Sequence, residues 1–184
     1  VLLAGGKPKI VKCTEEESFK ITPKKLKKAI GKKTKWLILN SPSNPTGAGY
    51  SKNEIEGLAK VLIKNKKVQI LSDDIYEHVK YDNFNFYTIA QNSKLKDRTL
   101  TMNGVSKSYA MTGWRIGYAA GPKEIIKAIG KIQSQSTSNP SSVSQAAAVE
   151  ALNGKQDFIQ ERSDAFKERR DFVVNSLNLS LIHI

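Results

Sequence analysis

Apolar and polar positions along the chain alternate between two kinds of run. A short continuous apolar stretch bounded by polar turns, Trp36–Asn40 (WLILN), predicts a buried strand of the parallel type, Val68–Leu71 is the next buried strand, and Thr99–Met102 and Ile116–Ala120 read as two further strands. Between them lie longer stretches with helical spacing. Thr22 followed by Pro23 starts a helix to about Ile30, because proline suits the first helical position. Ser51 with Glu54 three residues later forms a capping box that opens a helix to about Lys64. Pro122 opens another through about Gln135, and two more are expected over Val143–Leu152 and Phe158–Leu177. Lys9–Thr14 reads as one further strand. Buried strands joined by helices predict an α/β domain with a mostly parallel sheet. No repeat or low-complexity linker interrupts the pattern, so one domain is expected.

Composition narrows the picture. With 184 residues, 39% of them hydrophobic, the chain has enough length and apolar content for a real core. No run of eighteen apolar residues occurs, and VLLAGGKPK lacks a charged region ahead of its apolar one, so neither a membrane-spanning helix nor a secretory signal is expected. The single cysteine, Cys13, rules out an internal disulfide and fits a reducing compartment. His78 and His183 stand far apart without a second ligand at helical spacing, which gives a metal site no support. The net charge of +13 raises nucleic acid as a partner. The lysines, however, cluster on presumed helix faces and ends (Lys24, Lys25, Lys27 and Lys28; Lys32, Lys33 and Lys35; Lys64, Lys66 and Lys67), with no aromatic stacking platforms among them. A solvated lysine-rich surface is the reading, without nucleic acid.

Chemistry gathers at strand ends. Ligands of open α/β sheets bind beyond the carboxyl ends of the strands. Three strands here run into polar turns: Asn40 into SPSNPTG, Leu71 into SDDIYEH, and Met102 into NGVSK. Side by side they would build a site from Asn44, Asp73, Tyr76, Lys107 and Arg115. Lys107 sits among small residues, and Arg115 follows eight positions on. A reachable amine near an anion-binding guanidinium suits Schiff-base chemistry with a phosphate-bearing aldehyde cofactor. Each residue also admits a plainer reading: NPTG a turn, Asp73 a helix cap, Tyr76 core, Arg115 a surface ion pair. Together, in this order, they favour a site.

NSPSNPTG, SDDIYEHVKY and GVSKSYAMTGWRIGY resemble the pyridoxal-phosphate-dependent class I aminotransferases of fold type I, most closely the bacterial aspartate aminotransferase branch. The resemblance runs from VLLAGG to about Asn178. It implies a three-layer, mostly parallel sheet flanked by helices. It also implies that Lys107 carries pyridoxal 5′-phosphate as a Schiff base and shuttles the substrate proton as base and acid. Asp73 is implied as partner of the protonated pyridine nitrogen. Asn44 and Tyr76 would bond the ring hydroxyl oxygen, and Arg115 and Ser106 the phosphate. The Asn44–Pro45 bond is expected cis in the family's manner. Asp74 departs from the family's usual glutamate, with no function attached.

The implied activity is transfer of an amino group from an L-amino acid, aspartate first, to a 2-oxo acid, 2-oxoglutarate first, in a cytoplasmic homodimer. A lyase or synthase on the same scaffold, or a non-catalytic cofactor-sensing regulator domain, are the alternatives. Set against the family, residues 1–178 are expected to be part of the cofactor-binding large domain, with the last helix leading toward a small domain. The family's glycine/serine phosphate turn, ring-stacking aromatic and α-carboxylate arginine find no counterpart in the chain, so by itself it is expected to be inactive. The polar run Gln133–Ser144 is expected near the partner's site in the family dimer. The ending LSLIHI matches a translated sequencing-library adaptor, and residues 179–184 are therefore set aside as a non-native tail.

Overall fold

The computed structural model describes residues 1–180. Its centre is a four-stranded sheet in the order β1 (Trp36–Asn40), β2 (Gln69–Asp73), β3 (Thr99–Gly104), β4 (Gly117–Ala120). The first three strands are parallel, with Asn40 level with Asp73 and Asp73 level with Met102. The fourth runs antiparallel to β3, pairing Gly104 with Gly117. The sheet is thus mostly parallel, as expected, with one reversed edge.

Helix α1 (Pro23–Ala29) begins where Thr22 Oγ1 accepts the Lys25 N–H, with Pro23 at its first position. Helix α2 (Lys52–Lys64) opens on the expected Ser51/Glu54 capping box. Its Ile55, Leu58, Ala59 and Leu62 repeat at one-face spacing and are almost wholly buried. They meet Leu39 and Ile70 from one face of the sheet, with Leu26 of α1 and Ile89 and Leu95 from the connection between β2 and β3. Burial of each such side chain contributes about 1.5–3 kcal/mol relative to an exposed one. On the opposite face Trp36, Ile38 and Met102 are exposed, so β1 is covered on one face only and is not the fully buried strand expected, because α1 and α2 pack against the other face. Helices α3 (Lys123–Ser134), α4 (Ser142–Asn153) and α5 (Asp157–Leu179) follow β4, close to the ranges expected. Ala148 of α4 joins Val105 and Ile116 in a second buried cluster.

Lys9–Thr14 forms no strand. Its apolar residues would suit a strand, but among the described residues no strand lies beside it, and a strand needs a neighbour's backbone to satisfy its own. Lysine side chains hold the segment instead: Lys9 Nζ donates to the Ala29 carbonyl and Lys25 Nζ to that of Lys12. Ile10 points outward, 85% exposed. The strand read at Val68 starts at Gln69 and runs on to include Asp73, and that read at Ile116 starts at Gly117. Leu179, first residue of the expected tail, is the last of α5; residues 181–184 of that tail lie outside the described residues.

Candidate functional site

Parallel pairing brings the carboxyl ends of β1, β2 and β3 to one edge, so Asn40, Asp73 and Gly104 each end a strand on the same side of the sheet. The turn after β1 carries Asn44. Its backbone is folded back by Asn40: Asn40 Oδ1 accepts the Asn44 N–H at 3.2 Å, while Asn40 Nδ2 donates to the Asp73 carbonyl at 3.0 Å. Both Asn44–Pro45 and Ser41–Pro42 are cis. Asn44 Nδ2 donates to the Tyr76 hydroxyl at 3.1 Å. Lys107 Nζ lies 5.6 Å from the centre of the Tyr76 ring, within cation–π range. Asn44, Tyr76 and Lys107 therefore form one continuous group drawn from three strand ends.

Asp73 sits half-buried at the end of β2, one carboxylate oxygen accepting the Ile75 N–H at 3.3 Å. This bond is an Asx turn rather than a helix cap, since the residues that follow form turns. Asp74 points the other way, into the protein. Its Oδ1 accepts the Ser72 hydroxyl at 2.7 Å, and burial first of all raises its pKa above the ordinary carboxylate value.

Residues 105–116 connect β3 to β4 as a long hairpin loop that carries Ser106, Lys107 and Arg115. Buried Val105 and Ile116 pin its two ends, joined by the Val105 N–H to the Ile116 carbonyl at 3.4 Å. Inside it, Thr112 Oγ1 donates to the Ser106 carbonyl at 3.1 Å, and Arg115 Nη1 to the Thr112 carbonyl at 3.1 Å. Ser106 and Arg115 are thus linked through Thr112. Ala110 and Arg115 both adopt left-handed backbone, at φ 52° and 55°. That conformation costs a non-glycine residue about 1–2 kcal/mol, so the surrounding bonds must hold it. Arg115 is exposed and enters none of the ion pairs recorded among the described residues, which leaves most of its fork of donors turned to solvent.

The structure brings Asn44, Tyr76 and Lys107 into contact, places Asp73 on the neighbouring strand end, and carries Ser106 and Arg115 on the lysine's own loop. Sequence reasoning missed Asn40 and Thr112, which set the backbone beneath Asn44 and between Ser106 and Arg115. Only a polar residue closing the apolar run WLILN hinted at the first. A concavity of about 560 Å³ borders the site, sharing Asn44 and Tyr76 but otherwise lined by residues such as Pro42, Phe84 and Arg170. Its one arginine, Arg170, is matched by Asp82 at 2.8 Å and Asp171 at 2.6 Å, and is not a free anion receptor.

A parallel sheet with a reversed edge, flanked by helices and carrying its lysine on the hairpin beyond the third strand, defines the large-domain fold of the fold type I transferases. The chain belongs to the aminotransferase class I and II family, whose sequence model matches residues 1–184. It is 58% identical over 179 residues to the aspartate/prephenate aminotransferase of Cereibacter sphaeroides, covering 97% of this chain and 45% of that protein. To the aspartate aminotransferase of Rhizobium meliloti it is 56% identical over 179 residues, covering 97% of this chain and 44% of that protein. The crystal structure of a Rhizobium meliloti aspartate aminotransferase superposes with a TM-score of 0.93 at 57% identity, covering 94% of this chain and 44% of the other. The aromatic aminotransferase from Pyrococcus horikoshii gives 0.92 at 39% identity, covering 97% and 48%. The chain therefore spans about half the length of the relatives it matches. Among the described residues, no helix is long and apolar enough to cross a membrane.

Proposed function

We propose that the protein carrying this chain is a pyridoxal-phosphate-dependent aminotransferase that moves the amino group of aspartate to 2-oxoglutarate. The observation that carries the reading is the continuous Asn44–Tyr76–Lys107 group at the strand edge that also holds Asp73. The side chains fit the cofactor chemically: an exposed amine, an amide and a phenol at one end, a guanidinium with donors to spare at the other, and a half-buried carboxylate between strands.

Bound there, pyridoxal 5′-phosphate supplies an electron sink for negative charge developing at the substrate Cα. Lys107 Nζ would hold the cofactor, and its amine would accept and return the Cα proton. Asp73 holds a proton on the pyridine nitrogen by offering it a carboxylate. Asn44 Nδ2 and the Tyr76 hydroxyl orient the ring through its hydroxyl oxygen, and Arg115 with Ser106 holds the phosphate. Residues 1–178 form part of the cofactor-binding domain, and a homodimer in the cytoplasm is the assembly and location that suit the family and the single cysteine.

Aspartate recurs in the names of relatives at 54–58% identity, and prephenate in several of them. Prephenate is therefore the acceptor to try beside 2-oxoglutarate. The test transplants residues 1–178 into the matching segment of the Rhizobium meliloti enzyme and follows oxaloacetate formation. The chimera should turn over aspartate, and Lys107→Ala should abolish turnover. An active Lys107→Ala chimera would remove the lysine from the mechanism and the reading with it.

A further inference from the structure

Two segments carry the site, the turn after β2 with Asp73 and Tyr76, and the hairpin loop with Ser106, Lys107 and Arg115. Their separation is fixed by few bonds. The Asp74 N–H donates to the Met102 carbonyl at 2.9 Å. One side-chain bond reaches further along: Asn103 Nδ2 donates to Glu77 Oε1 at 2.6 Å, across 26 positions of sequence. Asn103 is the residue before Gly104, where the loop departs. Its own Oδ1 accepts the Gly104 N–H at 2.8 Å. That second bond fixes the amide's orientation, since a flipped amide would set its oxygen against the Glu77 carboxylate and its NH2 against an N–H. Both partners are half-buried, where a charge-assisted bond is stronger than in water. His78 Nε2 stands 3.5 Å from the same Glu77 oxygen, and the Glu77 charge adds to burial in raising the pKa of the phenols of Tyr109, within the loop, and Tyr118, in β4.

We propose that Glu77 and Asn103 are positioning residues: their bond sets the distance between the Asp73–Tyr76 turn and the loop that holds Lys107. Neither side chain is assigned to touch cofactor or substrate. The inference rests on the reading of Lys107 as the cofactor-anchoring amine. If the brace opens, the loop keeps its buried ends at Val105 and Ile116 but loses its tie to the turn. Lys107 then samples positions that miss a cofactor held by the other strand ends. A misplacement of half an ångström or so lowers productive attachment on the order of tenfold.

The experiment uses the chimera in which residues 1–178 replace the matching segment of the Rhizobium meliloti enzyme. It is incubated with increasing pyridoxal 5′-phosphate, reduced with borohydride, and mapped for label on Lys107; hydrogen exchange is followed in parallel over residues 104–115 and over α2. Glu77→Ala and Asn103→Ala should each raise the cofactor concentration for half-labelling about tenfold. Both should speed exchange in 104–115 and leave α2 unchanged. Glu77→Gln should restore the parent values, because its amide oxygen still accepts from Asn103. The double alanine variant should be no worse than Asn103→Ala alone, since the two residues share one bond and Asn103 by itself also holds the Gly104 N–H. Parent-like labelling and exchange in the single variants, multiplying effects in the double, or faster exchange in α2 as well would each overturn the proposal. If the parent chimera takes no label at Lys107, it is the cofactor reading that fails; the brace then stands or falls on the exchange of 104–115 alone.

Discussion

Replacing Gly104 with alanine tests how closely the lysine loop is fitted to the sheet. A Cβ at this position would lie 2.9 Å from the Ile116 carbonyl oxygen, 3.3 Å from Gly117 Cα and 3.6 Å from Ile75 Cδ1. The first two neighbours are backbone of β4's entry and cannot swing aside. Gly104 has no positive φ, so alanine's backbone preference is not the obstacle, and the stiffer unfolded chain even returns about 0.4–1 kcal/mol. The cost is steric. Relief needs β3 and β4 to part by a few tenths of an ångström, and the Val105 N–H bond to Ile116 O, already 3.4 Å long, lies in the path of that movement. Overpacking of this kind costs about 1–3 kcal/mol, and the weakened hydrogen bond about 1 more. The net expectation is a loss of about 1–3 kcal/mol in urea unfolding, with weaker labelling of Lys107, since the loop starts at this residue. Gly130, in the middle of α3, is the control: nothing stands within 4 Å of a Cβ there, so alanine should stabilise by up to about 1 kcal/mol. A Gly104→Ala variant as stable as the parent, with unchanged Lys107 labelling, would refute the claim that backbone contact fixes the loop.

The far end of β2 gives a second prediction. Arg98 closes the carboxyl end of α2, donating from Nη2 to the Leu62 carbonyl at 2.6 Å and from Nη1 to those of Asn65 and Val68 at 3.2 and 2.5 Å. Arg98→Ala should cost about 2 kcal/mol in denaturant unfolding, since one charged donor set is lost but water reaches part of the site; a change under about 0.5 kcal/mol would leave the cap without weight. Asp74 gives a third, in pH. Burial raises its folded pKa above the unfolded value, so its contribution is fully present below the unfolded carboxylate pKa and fades as pH rises through the folded one. Asp74→Asn keeps an oxygen for the Ser72 hydroxyl and carries no charge. Its stability relative to the parent should therefore climb as pH rises above about 4, followed by thermal unfolding. A flat difference would mean that the hydroxyls of Ser72 and Thr88 offset the burial of the charge.

Much of the fold was legible because its signals are local. WLILN forms a strand at its expected bounds because five residues suffice to describe an apolar run between polar turns, though its burial on both faces did not follow, and the Ser51–Glu54 box works within one turn of helix. Lys9–Thr14 failed for the converse reason: KIVKCT is apolar enough for a strand, but pairing depends on a neighbour that no local window contains. The reversal of β4 was hidden likewise, since only the closure of residues 105–116 upon Val105 and Ile116 turns the chain back. In the candidate site, Asn44, Asp73, Tyr76, Lys107 and Arg115 stood out by falling at strand ends. Asn40 and the Glu77–Asn103 pair did not, because each acts through a partner 33 or 26 positions away and, read alone, passes for a solvated polar residue.

The distances that matter to the proposed chemistry therefore have two physical origins. The spacing of Lys107 from Arg115 is settled within one loop, by its left-handed residues Ala110 and Arg115 and by the Thr112 bonds to either side. The spacing of Lys107 from Asp73 is settled between strands, by the β2–β3 register, the fit of Gly104 against Ile116 and the bond from Asn103 to Glu77. Damage to the first should weaken the hold on an anion while leaving the amine beside the carboxylate and phenol. Damage to the second should leave the loop's internal bonds whole and move the amine and guanidinium together. Strand register tolerates no partial slip, because one residue turns every side chain to the other face. Fine adjustment of the amine must then come from the loop's point of departure, where Asn103 and Gly104 stand.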